Sequence, residues 1–118
     1  MRERDDAVTG LLKRARRRIT DPNHWTLGTY ARDAGGRVAL PASPAAVQWC
    51  ALGALQAEAP RGWHLGGKRH AEFSDALHRL AEAIPERGWM TPASVPDLND
   101  EGDHAAVLKL YDAAIRGK

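Results

Sequence analysis

Residues 43–59, SPAAVQWCALGALQAEA, decide how this chain is expected to fold. Ser43 can serve as a helix N-cap and Pro44 suits the first helical position, so the sequence predicts one helix running to about Ala59, ahead of Pro60. On a helical wheel its small residues fall within one narrow stripe, which comprises Ala46, Cys50, Gly53 and Ala57. Because small side chains let another element approach closely, we expect this helix to be central.

Two elements are predicted before this helix. Apolar residues at helical spacing predict an amphipathic helix over about residues 4–20, and Pro22 prevents its continuation. Around the turn 33–36, Asp-Ala-Gly-Gly, the sequence predicts two short antiparallel strands near 26–32 and 37–40. An isolated two-stranded hairpin is marginally stable in water, so we expect this one to pack against the helices.

Two further helices are predicted in the C-terminal half, near 70–84 and over about 101–116. Residues 91–97 contain two prolines and are predicted to form an extended connection. Asp100 is the predicted N-cap of the last helix. The expected fold is therefore α+β and predominantly α: about four helices around one core, with a short β-hairpin in the N-terminal half, in a single domain over residues 1–118.

Composition narrows the class of protein. A chain of 118 residues with 43% hydrophobic and 27% charged residues has the composition of a globular domain. The N-terminus is charged and lacks the apolar stretch of a secretory signal, and no apolar run reaches the roughly 20 residues that span a bilayer. The single cysteine, Cys50, cannot form an internal disulfide. We therefore expect a cytoplasmic protein without a membrane segment.

Several short motifs, taken in order, resemble a known family. They are Trp25 with the segment ARDAGG at 31–36, WCALGAL at 49–55, Asn99-Asp100, and VLKLYDAAI at 107–115. This pattern is similar to that of an uncharacterised, domain-of-unknown-function family of actinobacterial and phage-associated proteins, which has tryptophan where this chain has Leu98. The resemblance covers residues 8–116 and implies a bacterial or phage-related protein, but no activity.

Four residues are candidates for catalysis. Cys50 is the one residue that could act as a thiol nucleophile, but it is predicted to lie in mid-helix among small residues, which favours a buried structural role. His104 is predicted to share a helix face with core residues, beside the polar pair Asn99 and Asp100. Helix capping alone explains these two residue types, so we favour a non-enzymatic role. No histidine spacing matches a metal site, and no metal or cofactor is expected.

The candidates for binding lie in loops and on the first helix. Trp63 and Trp89 fall in predicted connections, and tryptophan is enriched at protein interfaces. The predicted polar face of the first helix carries Arg14, Arg17 and Arg18. The favoured function is a small accessory or regulatory module that binds another protein, or a second copy of itself as a homodimer. One alternative is an enzyme or small-ligand-binding protein with a pocket around Cys50, His104 and Asp100; a second, disfavoured for lack of interleaved aromatics, is nucleic-acid binding through the first helix.

Overall fold

The computed structural model of this chain describes residues 2–86 and 94–117. Within these residues lie five α-helices: α1 (Arg2–Arg18), α2 (Ala51–Glu58), α3 (Gly67–Glu82), α4 (Val95–Glu101) and α5 (His104–Arg116). Two strands, β1 (Ala31–Asp33) and β2 (Ala46–Trp49), pair antiparallel in the N-terminal half. Short 3-10 turns occur at Pro22–His24 and Trp63–Leu65. The predicted fold class, mostly helical with a small hairpin, is confirmed.

Helix α1 organises the core, since it contacts α2, α3 and α5. Its buried side chains are those at the predicted helical spacing: Val8, Leu11, Leu12, Ala15 and Ile19. Val107 and Tyr111 of α5 are also fully buried in this core. Helix α1 ends two residues earlier than predicted, and α3 begins three residues earlier.

The predicted pairing of 26–32 with 37–40 is present in part, but the longer strand pairing involves a segment for which the sequence predicts helix. Strand β1 pairs with residues 46–49, in the register Ala31 with Trp49 and Arg32 with Gln48. Residues 37–40, the predicted second strand, do lie antiparallel beside β1, but their pairing is limited to one bridge between Val38 and Arg32 and the two hydrogen bonds that flank it. The sequence predicts helix for the segment 46–49. A short apolar run suits a buried helix or a buried strand equally well, so periodicity alone does not distinguish the two here. Tertiary contacts with β1 make it a strand.

Helix α2 therefore begins at Ala51 and not near Ser43. The Ser43 hydroxyl instead accepts a local hydrogen bond from the Ala45 amide, and Cys50 is the N-cap of α2. Only part of the predicted small-residue stripe is helical, but the close approach of another element that it predicted is confirmed at Gly53. A Cβ atom there would lie 1.9 Å from the carbonyl oxygen of Tyr30, so no larger residue permits this close approach.

The end of the predicted extended connection is a helix, α4. The Ser94 hydroxyl accepts from the Asp97 amide and Pro96 occupies the first turn, an N-terminal arrangement that proline tolerates well. Asp100 is consequently inside α4 and is not the N-cap of the last helix. That role belongs to Asp103, whose carboxylate accepts from the Ala106 amide. Among the described residues, no helix is long and apolar enough to cross a membrane.

Candidate functional site

A pocket of about 340 Å³ opens where the loop before β1, the start of α2 and the helix α4 meet. The residues that line it are Gly28, Thr29, Tyr30, Cys50, Pro96 and Asp100. Two of the four catalytic candidates from the sequence, Cys50 and Asp100, thus share one cavity. We call it the Asp100 pocket.

The walls of the Asp100 pocket are held together by the side chain of Asn99, which is fully buried. Its Oδ1 accepts from the indole Nε1 of Trp25 at 2.7 Å and from the amide of Ala51 at 2.8 Å. Its Nδ2 donates to the carbonyl oxygen of Thr26 and to Asp100 Oδ1, both at 3.2 Å. One amide group therefore ties α4 to the loop before β1 and to the first turn of α2.

The carboxylate of Asp100 is fixed by one of its two oxygens. Oδ1 accepts from the amide of Gly28 at 3.0 Å as well as from Asn99, and Asp100 as a whole remains exposed. In the described part of the chain, Oδ2 has no hydrogen-bond partner and the carboxylate forms no ion pair. The carboxylate is thus held in one orientation, and its Oδ2 is available to accept a hydrogen bond.

Cys50 lies at the N-terminus of α2 and is 4% exposed. Its Sγ accepts from the amide of Gly53 at 3.2 Å, and its own amide donates to the carbonyl oxygen of Tyr30 at 3.1 Å. Burial raises the pKa of the Cys50 thiol above its ordinary value, and the negative charge of Asp100 raises it further. The thiol is therefore protonated at neutral pH, as a helix cap and not as a thiolate.

His104 lies in a different neighbourhood. Its Nε2 donates to the carbonyl oxygen of Ile19 at 2.6 Å, and its ring centroid is 5.7 Å from that of Trp25. It does not line the Asp100 pocket. The imidazole joins the first turn of α5 to the end of α1, where the chain leaves the helix.

Comparison with known proteins places the chain in a family. The family model of DUF6197, a family of unknown function, matches residues 3–117. The chain belongs to the DUF6197 family. This agrees with the uncharacterised family that the sequence motifs indicated. No curated protein and no solved structure matches the chain.

Two of the basic residues of α1 in this DUF6197 protein pair with a carboxylate of the same chain, that of Glu58. Arg18 Nε donates to Glu58 Oε2 at 2.9 Å, and Arg14 Nε lies 3.4 Å from Glu58 Oε1. The guanidinium of Arg18 also lies 4.5 Å from the ring centroid of Trp49, in a cation–π contact. Arg17, the third cation predicted for binding, is exposed.

Of the two loop tryptophans, one lies in the described residues. Trp63 is half-buried in a 3-10 turn, with its ring centroid 4.1 Å from that of Phe73 and 6.4 Å from that of His70. Stacking against α3 therefore accounts for a large part of its surface. Trp89 lies outside the described residues.

A cavity of about 370 Å³, slightly larger than the Asp100 pocket, lies between α1, α3 and α5. There the Arg79 guanidinium donates to the carbonyl oxygens of Ala114 and Ile115 and to the hydroxyl of Thr9. These bonds satisfy the last carbonyls of α5, which explains the arginine as a structural cap.

The segment 37–40 beside β1, which we call the hairpin edge, is predicted from the sequence as a strand but not as a binding surface of the DUF6197 domain. The amide of Asp33 donates to the carbonyl oxygen of Arg37 at 2.8 Å, and the Ala39 amide donates to the carbonyl oxygen of Ala31 at 2.9 Å. Val38 and Leu40 are 70% and 77% exposed. Val38 and Leu40, on either side of Ala39 in the predicted strand, are the signal that could have identified an exposed apolar edge.

Proposed function

We propose that this DUF6197 protein is a small accessory module that binds another protein by accepting an extended segment of that partner along the hairpin edge. The observation that carries the proposal is the free main chain of Val38. The proposal keeps the protein-binding role favoured by the sequence but moves it from Trp63 and the basic face of α1 to the sheet.

The main chain of Val38 is set up for strand addition. In an antiparallel pair, residues alternate between pointing their amide and carbonyl groups toward the partner strand and away from it. The hydrogen bonds of Arg37 and Ala39 with β1 bracket Val38, so the amide and carbonyl of Val38 point outward. Neither group has a partner in the described part of the chain. An extended peptide satisfies both groups at once, which is how many peptide-binding domains gain affinity.

The side chains of the hairpin edge add an apolar contribution. Val38 and Leu40 are exposed while Ala39 between them is half-buried, which is the alternation of a strand with one face on the core. Exposed apolar side chains on an unpaired edge favour pairing with another chain, and many proteins place a lysine or proline there to prevent it. On the hairpin edge, positions 38–40 carry neither a charge nor a proline; the charge at Arg37 and the proline at Pro41 lie at its two ends.

The charge at this edge favours a foreign partner over a second copy. Arg37 is exposed and forms no ion pair within the described residues, whereas the nearby Asp33 carboxylate accepts from the amides of Gly35 and Arg37. Antiparallel pairing of two copies about Val38 would bring their Arg37 side chains to diagonal positions about 7–8 Å apart, where like charges repel. A partner strand with an acidic residue there would gain from the same cation. We therefore infer an extended, apolar segment carrying a carboxylate.

The test is a selection of linear peptides displayed on phage against the immobilised protein, followed by titration of the enriched peptides in solution. Two variants separate main-chain from side-chain recognition. Val38→Pro removes the outward amide without breaking an internal hydrogen bond, and Val38→Thr retains that amide while making the side chain polar. Far-UV circular dichroism and thermal unfolding establish that both variants fold.

The expected result is a set of apolar, acidic peptides whose binding shifts the backbone NMR signals of residues 37–40. Val38→Pro should weaken their affinity by about tenfold or more, and Val38→Thr by less, since a net hydrogen bond contributes about 0.5–1.5 kcal/mol and the proline ring also blocks the approach. Peptides that bind Val38→Pro as tightly as wild type would refute the site. Concentration-dependent dimerisation that Val38→Pro abolishes would instead assign the edge to a second copy.

A further inference from the structure

We propose that the Asp100 pocket is a binding site for a small organic cation, a primary ammonium or guanidinium group, held by the Asp100 carboxylate. This site is independent of the hairpin edge, and neither proposal depends on the other.

The size and shape of the cavity fit a small ligand. Its volume of about 340 Å³ lies at the lower end of the range of about 300–1,000 Å³ that is typical of ligand pockets. The cavity lies between three separate elements, the loop before β1, α2 and α4, and the hydrogen bonds of the buried Asn99 fix those elements relative to one another. The site is therefore formed before a ligand arrives, which reduces the ordering cost of binding.

The charge in the pocket is negative. Asp100 is the one carboxylate among the residues that line it, and burial raises the pKa of the other acidic group nearby, the Cys50 thiol. The guanidinium of Arg32 approaches Gly28 but donates to Thr26 Oγ1 and to the carbonyl oxygens of Gly36 and Leu27. Arg32 does not line the cavity, so the Asp100 charge is left for a ligand.

The N-terminus of α2 could attract an anion, but two of its amide groups already donate to acceptors within the protein. The amide of Ala51 donates to Asn99 Oδ1 and that of Gly53 donates to Cys50 Sγ. These bonds occupy two of the first-turn amide groups that make a helix N-terminus an anion site. The polarity of the pocket is therefore set by its carboxylate.

The remaining lining groups suit an organic cation. The Thr29 and Tyr30 hydroxyls can accept hydrogen bonds from an ammonium or guanidinium group, and an aromatic ring beside a cation contributes a further attraction. Tyr30 lines the pocket and is 48% exposed, so part of this residue is accessible to solvent. A charge-assisted hydrogen bond to Asp100 Oδ2, the oxygen without a partner in the described chain, would anchor the ligand.

The test is an NMR titration of the ¹⁵N-labelled protein with four probes of similar size: n-butylammonium, methylguanidinium, n-butanol and butyrate. We expect the two cations to shift the amide signals of residues 28–30 and 100 with saturable curves, and the neutral and anionic probes to leave them unchanged. A free amine and a lysine or arginine side chain of a protein share this chemistry. The affinities of the two cations are therefore compared with those of N-acetyl-lysine amide and N-acetyl-arginine amide. Tighter binding of the amides indicates a protein side chain, and tighter binding of the simple cations indicates a free small molecule.

Asp100→Asn is the decisive variant because its amide oxygen can still accept from Gly28 and Asn99 while the charge is lost. It should weaken cation binding by about tenfold or more. Glu101→Gln removes a neighbouring exposed charge outside the lining and should leave the affinity within about twofold, since exposed charges act weakly through water. Val38→Pro should also retain it.

Two results would overturn the proposal: the absence of saturable shifts from either cation at millimolar concentration, or equal affinity of wild type and Asp100→Asn. If Asp100→Asn does not fold, Tyr30→Leu provides a second test, because the backbone carbonyl of Tyr30 makes its structural contacts and survives the change. That variant should weaken binding several-fold, and an unchanged affinity would contradict the proposed contact.

Discussion

Replacing Asn99 by alanine should remove a large part of the stability of this fold. The variant leaves two donors without their acceptor, the amide of Ala51 and the indole Nε1 of Trp25, and it frees the carbonyl oxygen of Thr26. An unpaired buried polar group costs about 1–3 kcal/mol. The Ala51 amide is buried and incurs this cost in full, whereas the half-buried Trp25 can regain part of its hydrogen bonding from water.

The sum is a loss of about 2–4 kcal/mol in the free energy of unfolding, against a total of about 5–15 kcal/mol for a domain of ordinary stability. Urea denaturation followed by circular dichroism measures it, and the summed fluorescence of the four tryptophans provides a second probe of the same transition. Asn23→Ala is the matched control, since no hydrogen bond of the Asn23 side chain is present in the described chain and the residue is exposed. The control should change stability by less than about 0.5 kcal/mol.

Asn99→Asp tests the same reasoning through pH. The introduced carboxylate can accept from Trp25 and Ala51 but cannot donate to Thr26, and it places a second negative charge beside Asp100. Burial and the neighbouring charge would raise the pKa of the introduced carboxyl group, so the variant should gain stability relative to wild type as pH falls, when protonation restores a donor. If Asn99→Ala costs less than about 1 kcal/mol, the idea that this side chain holds three elements together is wrong.

Three further measurements test other parts of the fold. Gly53→Ala should lower the free energy of unfolding by about 3 kcal/mol or more, because its Cβ would lie 1.9 Å from Tyr30 O; wild-type stability in urea would contradict the close approach. Burial raises the pKa of both Cys50 and Tyr111, so the unfolded chain loses these protons first and stability should fall as pH rises past 9.0. Tyr111→Phe should flatten this fall above pH 10.0, and a flat wild-type profile would refute it. Glu58→Gln removes the partner of two arginines of α1 and should cost about 1 kcal/mol, less at high salt; a cost independent of salt would argue against an ionic origin.

The apolar periodicity of α1 and α5 is enough to predict those helices, because one face of each meets the core along its whole length. The cue Ser-Pro is less reliable. At Ser43 it marks a turn, whereas the similar Ser94 with Pro96 begins a real helix, and nothing local distinguishes the two. Whether the hydroxyl caps a helix depends on what the following residues pack against. For the segment 46–49, that partner is β1, and the result is a strand.

The candidate site is predictable in its residue types but not in its geometry. Asn99 and Asp100 stand out as a polar pair, and capping the following helix is the local interpretation of them. Their real partners lie far away in sequence: Trp25 is 74 residues and Ala51 48 residues from Asn99. No periodicity or motif encodes contacts of that separation in a single sequence. For the same reason the sequence could not exclude His104 from the pocket that it predicted around Cys50, His104 and Asp100, of which the structure brings together only Cys50 and Asp100.

Two adjacent residues of α4 have different proposed roles, Asn99 in stability and Asp100 in cation binding. Single substitutions can therefore test the two roles separately. The Asn99 side chain is fully buried and holds the pocket walls, whereas Asp100 is exposed and presents a carboxylate to the cavity. Asp100→Asn retains an acceptor for Gly28 and Asn99, so we expect it to change the free energy of unfolding by less than about 1 kcal/mol while it weakens cation binding. Asn99→Ala should have the opposite pattern. It should lower the free energy of unfolding, and it should affect cation binding only through the position of the pocket walls. If Asp100→Asn were as destabilising as Asn99→Ala, Asp100 would be a structural residue, and its place in the pocket would need no ligand to explain it.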